Sequence, residues 1–289
     1  MKKQMSLMVW IALMMGTACW AGEKSEPRTI VATFYPIRIA LMNIVGKVEG
    51  VRVTSLANTD AGCLHDYQLT TRDMAALTKA EVLVVNGAGL ESFLNDVARS
   101  RPGLQVIDAS AGIDLLVSGG VTNAHVWVSP RRYILQIRRM AEGLSRWDPV
   151  HATSYQHNAS AYIARLEALR VTMKAKLQGI RSREIITFHE AFSYFADEFH
   201  LTVAGVIERE PGASPSASEM ASLIQVIRTT GVKTLFVEPQ YPAKIAATIA
   251  RETGAKIFTL DPVVTGPDLP DAYISIMEKN LAELERALR

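Results

Sequence analysis

From Arg28 to the end of the chain, short apolar runs alternate with amphipathic stretches, and no other feature restricts the fold so tightly. A short apolar run suits a strand covered on both faces, and an amphipathic stretch suits the helix that covers it. The alternation therefore predicts an α/β fold built on mainly parallel sheets flanked by helices. In the first half, strands are expected over residues 29–34, 51–56, 81–86 and 104–107, with helices near 36–48, 72–79, 90–100 and 131–147. In the second half, strands are expected over 184–188, 201–206, 233–237 and 256–260, with helices near 191–199, 216–230, 241–253 and 270–288.

Between the halves, Tyr155, Ala159, Tyr162, Leu166, Leu169, Met173 and Leu177 recur at steps of three or four, which is one stripe of a long helix. Gln156, Arg165, Glu167, Arg170 and Lys174 fall off the stripe, so one face is buried and the other is wet. This predicts two lobes, 22–148 and 181–289, joined by a linking helix over 149–180; a core helix inside one large domain is the alternative.

Residues 1–21 stand apart. Lys2 and Lys3, an apolar run from Met5 to Met15 and then small residues have the form of a secretory signal peptide, too short to span a bilayer. Cleavage after Ala21 is the simplest outcome and places the mature protein in the periplasm. Cleavage before Cys19 would instead give a lipid-anchored N-terminus, but Gly16 stands where such signals usually carry leucine. Of the 31 Lys and Arg, removal of Lys2 and Lys3 leaves 29 against 29 Asp and Glu, so there is no broad basic surface and no nucleic-acid partner. Cys63 is then the one remaining cysteine, and an intramolecular disulfide is excluded. With 48% apolar residues, the chain can fold on a packed core.

Three of the six histidines share one address, the rim of a strand or extended segment ahead of a helix or turn. His65 lies in Cys63-Leu64-His65-Asp66-Tyr67-Gln68, His125 in Asn123-Ala124-His125-Val126-Trp127, and His189 closes the apolar strand 185–188. Asp261 follows the last strand directly, and Pro262 stops that strand from continuing. Ligands of open α/β sheets bind outside the carboxyl ends of the strands, so two facing lobes could gather such side chains into one cleft. Three imidazoles and one carboxylate satisfy a four-coordinate divalent metal. Spacing alone leaves the alternative open, since each histidine could equally be a hydrogen-bonded structural residue. His151, His157 and His200 are assigned to water or to a helix end, and Cys63 to packing.

With these residues in view, the chain resembles the zinc-binding periplasmic solute-binding proteins of metal-importing ABC transporters, a family that also holds manganese binders and adhesin lipoproteins. The resemblance begins near Thr29. It is carried by His65-Asp66-Tyr67-Gln68 with Arg72-Asp73, Asn86-Gly87 with Leu90-Glu91, Asn123-Ala124-His125-Val126-Trp127, Phe188-His189-Glu190-Ala191-Phe192 with Tyr194-Phe195, Val237-Glu238-Pro239-Gln240, and Leu260-Asp261-Pro262. It implies two lobes with the metal between them, bound by His65, His125, His189 and Asp261, two ligands from each lobe. Leu64 and Ala124 depart from a proline common before the histidine, and Ser129 from a common aspartate. Residues 113–124 contain no histidine, whereas zinc members often carry a His-rich insertion there.

The resemblance further implies that manganese members replace the third histidine by glutamate; here that position is His189. Imidazole-rich sites suit zinc and oxygen-rich sites suit manganese, so Zn2+ is the expected cargo and Mn2+ or another divalent ion the runner-up. The expected partner is an ABC permease in the inner membrane, with a metallochaperone as a further candidate and the protein itself a monomer. No catalytic residue is expected, because four protein ligands leave zinc no open position for water. A secreted zinc hydrolase using Glu190 or Glu238 as base is the competing class, but Ser193 stands where an H-E-x-x-H motif needs its second histidine. An extracellular interaction protein is a third class, and no repeat array supports it. Asp66, Glu190 and Glu238 are candidates to orient the imidazoles, or else solvated charges. The Glu208-Arg209-Glu210 run and the loop to Ser218 are assigned to the surface, where the permease could meet them.

Overall fold

The computed structural model describes residues 26–58, 62, 64, 67–208 and 215–289. The leader at 1–21 and Cys63, His65, Asp66, Arg209 and Glu210 lie outside the described residues.

Two four-stranded parallel sheets form, and each is assembled the same way. The first contains β1 (Arg28–Ala32), β2 (Val51–Ser55), β3 (Val82–Val85) and β4 (Gln105–Asp108) in the order β2-β1-β3-β4. After a short antiparallel hairpin of β5 (Val117–Ser118) and β6 (Val121–Thr122), the second contains β7 (Glu184–Thr187), β8 (Thr202–Val206), β9 (Thr234–Val237) and β10 (Lys256–Thr259) in the order β10-β9-β7-β8. In both, the chain steps from the first strand to one side and then returns to the other, so each sheet has a switch point between its first and third strands. That is where α/β folds bind ligands. Ile30, Val31, Ala32, Val82, Leu83 and Val84 are buried in the first sheet, and Ile185, Ile186, Leu235 and Phe236 in the second, as strands covered on both faces require.

The first sheet is flanked by α1 (Tyr35–Val45), α2 (Thr71–Lys79), α3 (Asn95–Ser100) and α4 (Pro130–Trp147). Pro36 opens α1, and a Thr70/Asp73 capping box opens α2. The second sheet is flanked by α6 (Ser193–Phe199), α7 (Ala217–Thr230), α8 (Lys244–Thr253) and α9 (Ala272–Leu288). Between the sheets runs α5 (Ala152–Leu177), 26 residues and about 39 Å long. All seven stripe residues of α5 are buried, and the helix packs against α1 and α4 on one side and α9 on the other. No helix among the described residues is long and apolar enough to cross a membrane.

One core cluster is continuous from Ile30 to Leu288, through Trp127, Tyr133 and the α5 stripe. The two halves are also tied by a ring stack and by polar contacts. Tyr133 stacks on Tyr273 with centroids 4.1 Å apart, Tyr35 Oη donates to Pro267 O at 2.9 Å, and Arg38 grips Asp268 through two bonds of 2.6 and 2.7 Å. The Glu208 assignment needs correction: its side chain is buried, because β8 leads it under Phe188, whose carbonyl accepts the Glu208 N–H at 2.8 Å.

Candidate metal centre

His125 sits on a segment fixed from both ends. On its N-terminal side the β5/β6 hairpin turns through Gly119 and Gly120, both at positive φ, and hands the chain to Asn123 and Ala124. On its C-terminal side a single 3-10 turn, Val126–Val128, leads to Ser129, whose hydroxyl accepts from Arg132 N to cap α4 and donates to Glu198 at 2.6 Å. Ser129 thus does the local capping work for α4. Trp127 is fully buried against Phe34, and its indole N–H donates to Pro262 O at 2.7 Å. Tyr273 Oη donates to Trp127 O at 2.8 Å. The backbone before His125 is held by Asn86, the residue that follows β3: its amide donates to Ala124 O at 2.9 Å and accepts from Gln136 at 2.9 Å.

His189 follows β7 by two residues. It is extended, it opens a 3-10 turn over Glu190–Phe192, and its carbonyl accepts from the Thr187 hydroxyl at 2.9 Å. Glu238 follows β9, the neighbouring strand across the switch point, and its carboxylate accepts from His189 Nδ1. Burial pushes the Glu238 carboxyl above the ordinary carboxylate range, and the His189 ring beside it pulls the other way. Of the three residues proposed to orient the imidazoles, Glu238 does so; the Glu190 side chain is exposed, and Asp66 lies outside the described residues.

The structure brings His125 and His189 together. Both are buried, their ring centroids are 4.9 Å apart, and the two Nε2 atoms face one another at 3.1 Å. His125 Nδ1 lies 2.9 Å from Asn123 Oδ1, as His189 Nδ1 lies against Glu238. With Glu238 ionised and the Asn123 amide oxygen facing His125, each ring commits its Nδ1 proton to an acceptor and aims an Nε2 lone pair at the other. Two such lone pairs repel unless a proton or a metal ion lies between them. A tetrahedral zinc with Zn–N bonds of about 2.0–2.1 Å separates its nitrogen donors by about 3.3–3.4 Å, close to the spacing seen.

Asp261 follows β10 by two residues, in a turn where Val263 adopts φ 61°. Its carboxylate accepts from Val263 N at 2.8 Å and Gln240 Nε2 at 3.3 Å, and Asn280 pairs with its backbone N–H and carbonyl at 2.8 Å each. Burial pushes its carboxyl upward, opposed by the Val263 N–H and the Gln240 amide. These bonds run to neither imidazole. Among the described residues, no group of three or more His, Cys, Asp or Glu side chains is placed to hold a metal ion, and His65 lies outside them. The weaker histidines are used elsewhere: His151 Nδ1 pairs with Asp148 at 2.8 Å, His200 ends α6 at φ 56°, and His157 is exposed. Asn123, Tyr194 and Gln240 stand in the motifs that carry the resemblance but have no role assigned from sequence, although the Asn-x-His spacing carries a signal, since an asparagine readily bonds the backbone two residues on.

Residues 30–287 match the sequence profile described as zinc-uptake complex component A, periplasmic. The zinc-binding protein AdcA of Streptococcus pyogenes is 27% identical over 88% of this chain and 55% of its own length, so the chain spans about half of that relative. The high-affinity zinc uptake system protein ZnuA of Bacillus subtilis is 27% identical over 93% of this chain and 90% of its own length. Among solved structures, the solute-binding protein FpvC of Pseudomonas aeruginosa in complex with Ni2+ is 32% identical, covers 91% of this chain and 97% of its own, and superposes with a TM-score of 0.82. The same protein with Mn2+ gives 31% identity over 90% and 98% of the two chains, and a TM-score of 0.83. Matched along nearly its whole described length by one family's profile, the chain belongs to the family of periplasmic zinc-uptake component A proteins.

Proposed function

We propose that the protein captures Zn2+ in the periplasm and delivers it to an ABC-type permease of the inner membrane. His125 and His189 bind the ion through Nε2, Asp261 supplies an oxygen, and His65 completes the shell. Residues 22–148 and 181–289 form the lobes, and the segment 149–180, which contains α5, joins them. The protein works as a monomer with no catalytic residue, since four protein donors leave the ion no open position at which to activate water.

The 3.1 Å approach of the two Nε2 atoms, with both Nδ1 atoms facing acceptors, carries this reading. Imidazole donors favour zinc over manganese, and the names of the relatives support zinc. The neighbour solved with Ni2+ and with Mn2+ keeps a second reading in play, in which another divalent ion is the cargo. Elemental analysis and calorimetry on the exported protein, beside His125→Ala and His189→Ala, test both. One zinc per chain, lost in each variant, is expected; undiminished zinc uptake in both variants overturns the site, and preferential loading with manganese or nickel from an equimolar mixture overturns the cargo.

A further inference from the structure

We infer that Asn123 is a positioning residue for metal capture: its side-chain amide selects the His125 tautomer that offers Nε2 to the ion, and in the same stroke ties the His125 segment to the His189 segment. This deepens the function proposed above and rests on His125 being a ligand.

The orientation of the Asn123 amide is decided by its neighbours. Nδ2 lies 2.7 Å from the backbone carbonyl of Glu190, which can only accept, so the NH2 group must point there. Oδ1 accepts the backbone N–H of His125 at 2.9 Å, an independent demand for the same orientation. With the amide fixed, the contact of Oδ1 with His125 Nδ1 at 2.9 Å admits one arrangement of the ring, because an amide oxygen cannot donate. Nδ1 carries the proton, and the lone pair falls on Nε2, toward His189.

The remaining polar groups of Asn123 are also engaged. Its N–H donates to Leu116 O at 2.9 Å, and its carbonyl accepts from Tyr194 Oη at 2.7 Å. Tyr194 Oη in turn accepts from Leu116 N at 2.9 Å, so a residue of α6 clasps the segment leading into the hairpin and the segment leaving it. Glu190 is the immediate neighbour of His189, so one amide joins the two histidine-bearing segments with a single side chain between them. The Asn86 tether to Ala124 O differs in kind: it holds backbone and has no say in where the ring proton sits.

The test compares the wild type with Asn123→Ala, Asn123→Asp and His125→Ala. Nitrogen chemical shifts of the His125 ring in metal-free protein, measured above the range in which histidines titrate, report the tautomer, and competition titration with Zn2+ reports affinity. Asn123→Ala is expected to turn a single Nδ1–H tautomer into a mixture and to weaken zinc binding about 10–100-fold, the usual loss when a ligand's orienting partner is removed. Asn123→Asp keeps one oxygen facing the ring, so the wild-type tautomer is expected, while its second oxygen cannot donate to the Glu190 carbonyl and the tie between the segments is lost; its tautomer also serves if the alanine variant fails to fold. An Asn123→Ala protein with wild-type tautomer and affinity overturns the inference, as does an Asn123→Asp protein that fails to restore the tautomer. Zinc binding lost in His125→Ala but intact in Asn123→Ala sinks this inference alone. Zinc binding intact in His125→Ala removes the ligand on which this inference rests, and intact in His189→Ala as well it sinks the proposed function.

Discussion

Glu91 shows how much a single buried group can ask of its surroundings. It gathers three donors, the Thr33 hydroxyl and Asn86 N–H at 2.7 Å and the Gly87 N–H at 3.1 Å, and so braces the switch point of the first sheet beneath the His125 segment. Gly87 takes φ 80° there, and a Cβ would lie 1.9 Å from an Asp108 oxygen, so only glycine fits. Burial nevertheless pushes the Glu91 carboxyl up to about 7, because three hydrogen bonds do not fully replace water. With the folded value above the unfolded one, its contribution to stability is complete below about pH 4.3 and is lost as pH rises through about 7. Urea unfolding of the wild type and Glu91→Gln across that window is expected to show their stability difference shifting in favour of the variant as pH rises, by no more than about 4 kcal/mol, and levelling above pH 7. A constant difference would mean that Glu91 is ionised throughout. The block Asn86-Gly87 with Leu90-Glu91 was legible as a resemblance; that Glu91 closes back on Asn86 and Gly87 is a tertiary fact with no local pattern to announce it.

The elements were legible to the extent that they are periodic. All eight strands of the two sheets fall where the apolar runs put them, within about two residues, and the α5 stripe is buried as its spacing requires. The β5/β6 hairpin was missed because two strands of two residues each have no period to read. Gly119-Gly120 flanked by Val117 and Val121 was nonetheless a turn signal of the kind that joins hairpins. The stripe has a further consequence, for Leu166 lies at its middle, fully buried in the core cluster that reaches from Ile30 to Leu288. Leu166→Ala removes three methyl or methylene-sized groups where α1, α4 and α9 leave little freedom to collapse, and is expected to cost about 2–5 kcal/mol. Because the core is shared, the loss should appear as one cooperative transition moved to lower denaturant and not as separate melting of one half. Two resolved transitions in the variant, read by far-ultraviolet circular dichroism, would show instead that the halves fold independently.

At the scale of the molecule, the sequence could announce two α/β halves but not how firmly they are joined, since the joining residues lie far apart in the chain. Tyr35 with Pro267, Arg38 with Asp268, Tyr133 with Tyr273, and Trp127 with Pro262 are all separated by more than a hundred positions, and no local pattern announces which residue pairs with which. Together with α5 they leave, among the described residues, no flexible strand pair about which the halves could swing, as hinged binding proteins do. Metal capture should therefore be a local event at the His125 and His189 segments. Zinc at a hundredfold excess over its dissociation constant is expected to stabilise the folded protein by about 2.7 kcal/mol, seen as a rise in Tm. X-ray scattering curves of the metal-free and zinc-loaded protein should nevertheless superimpose, because completing the shell around the two facing imidazoles by local shifts moves little mass. A marked compaction on loading would contradict this rigidity and would assign the α5 connection the role of a hinge.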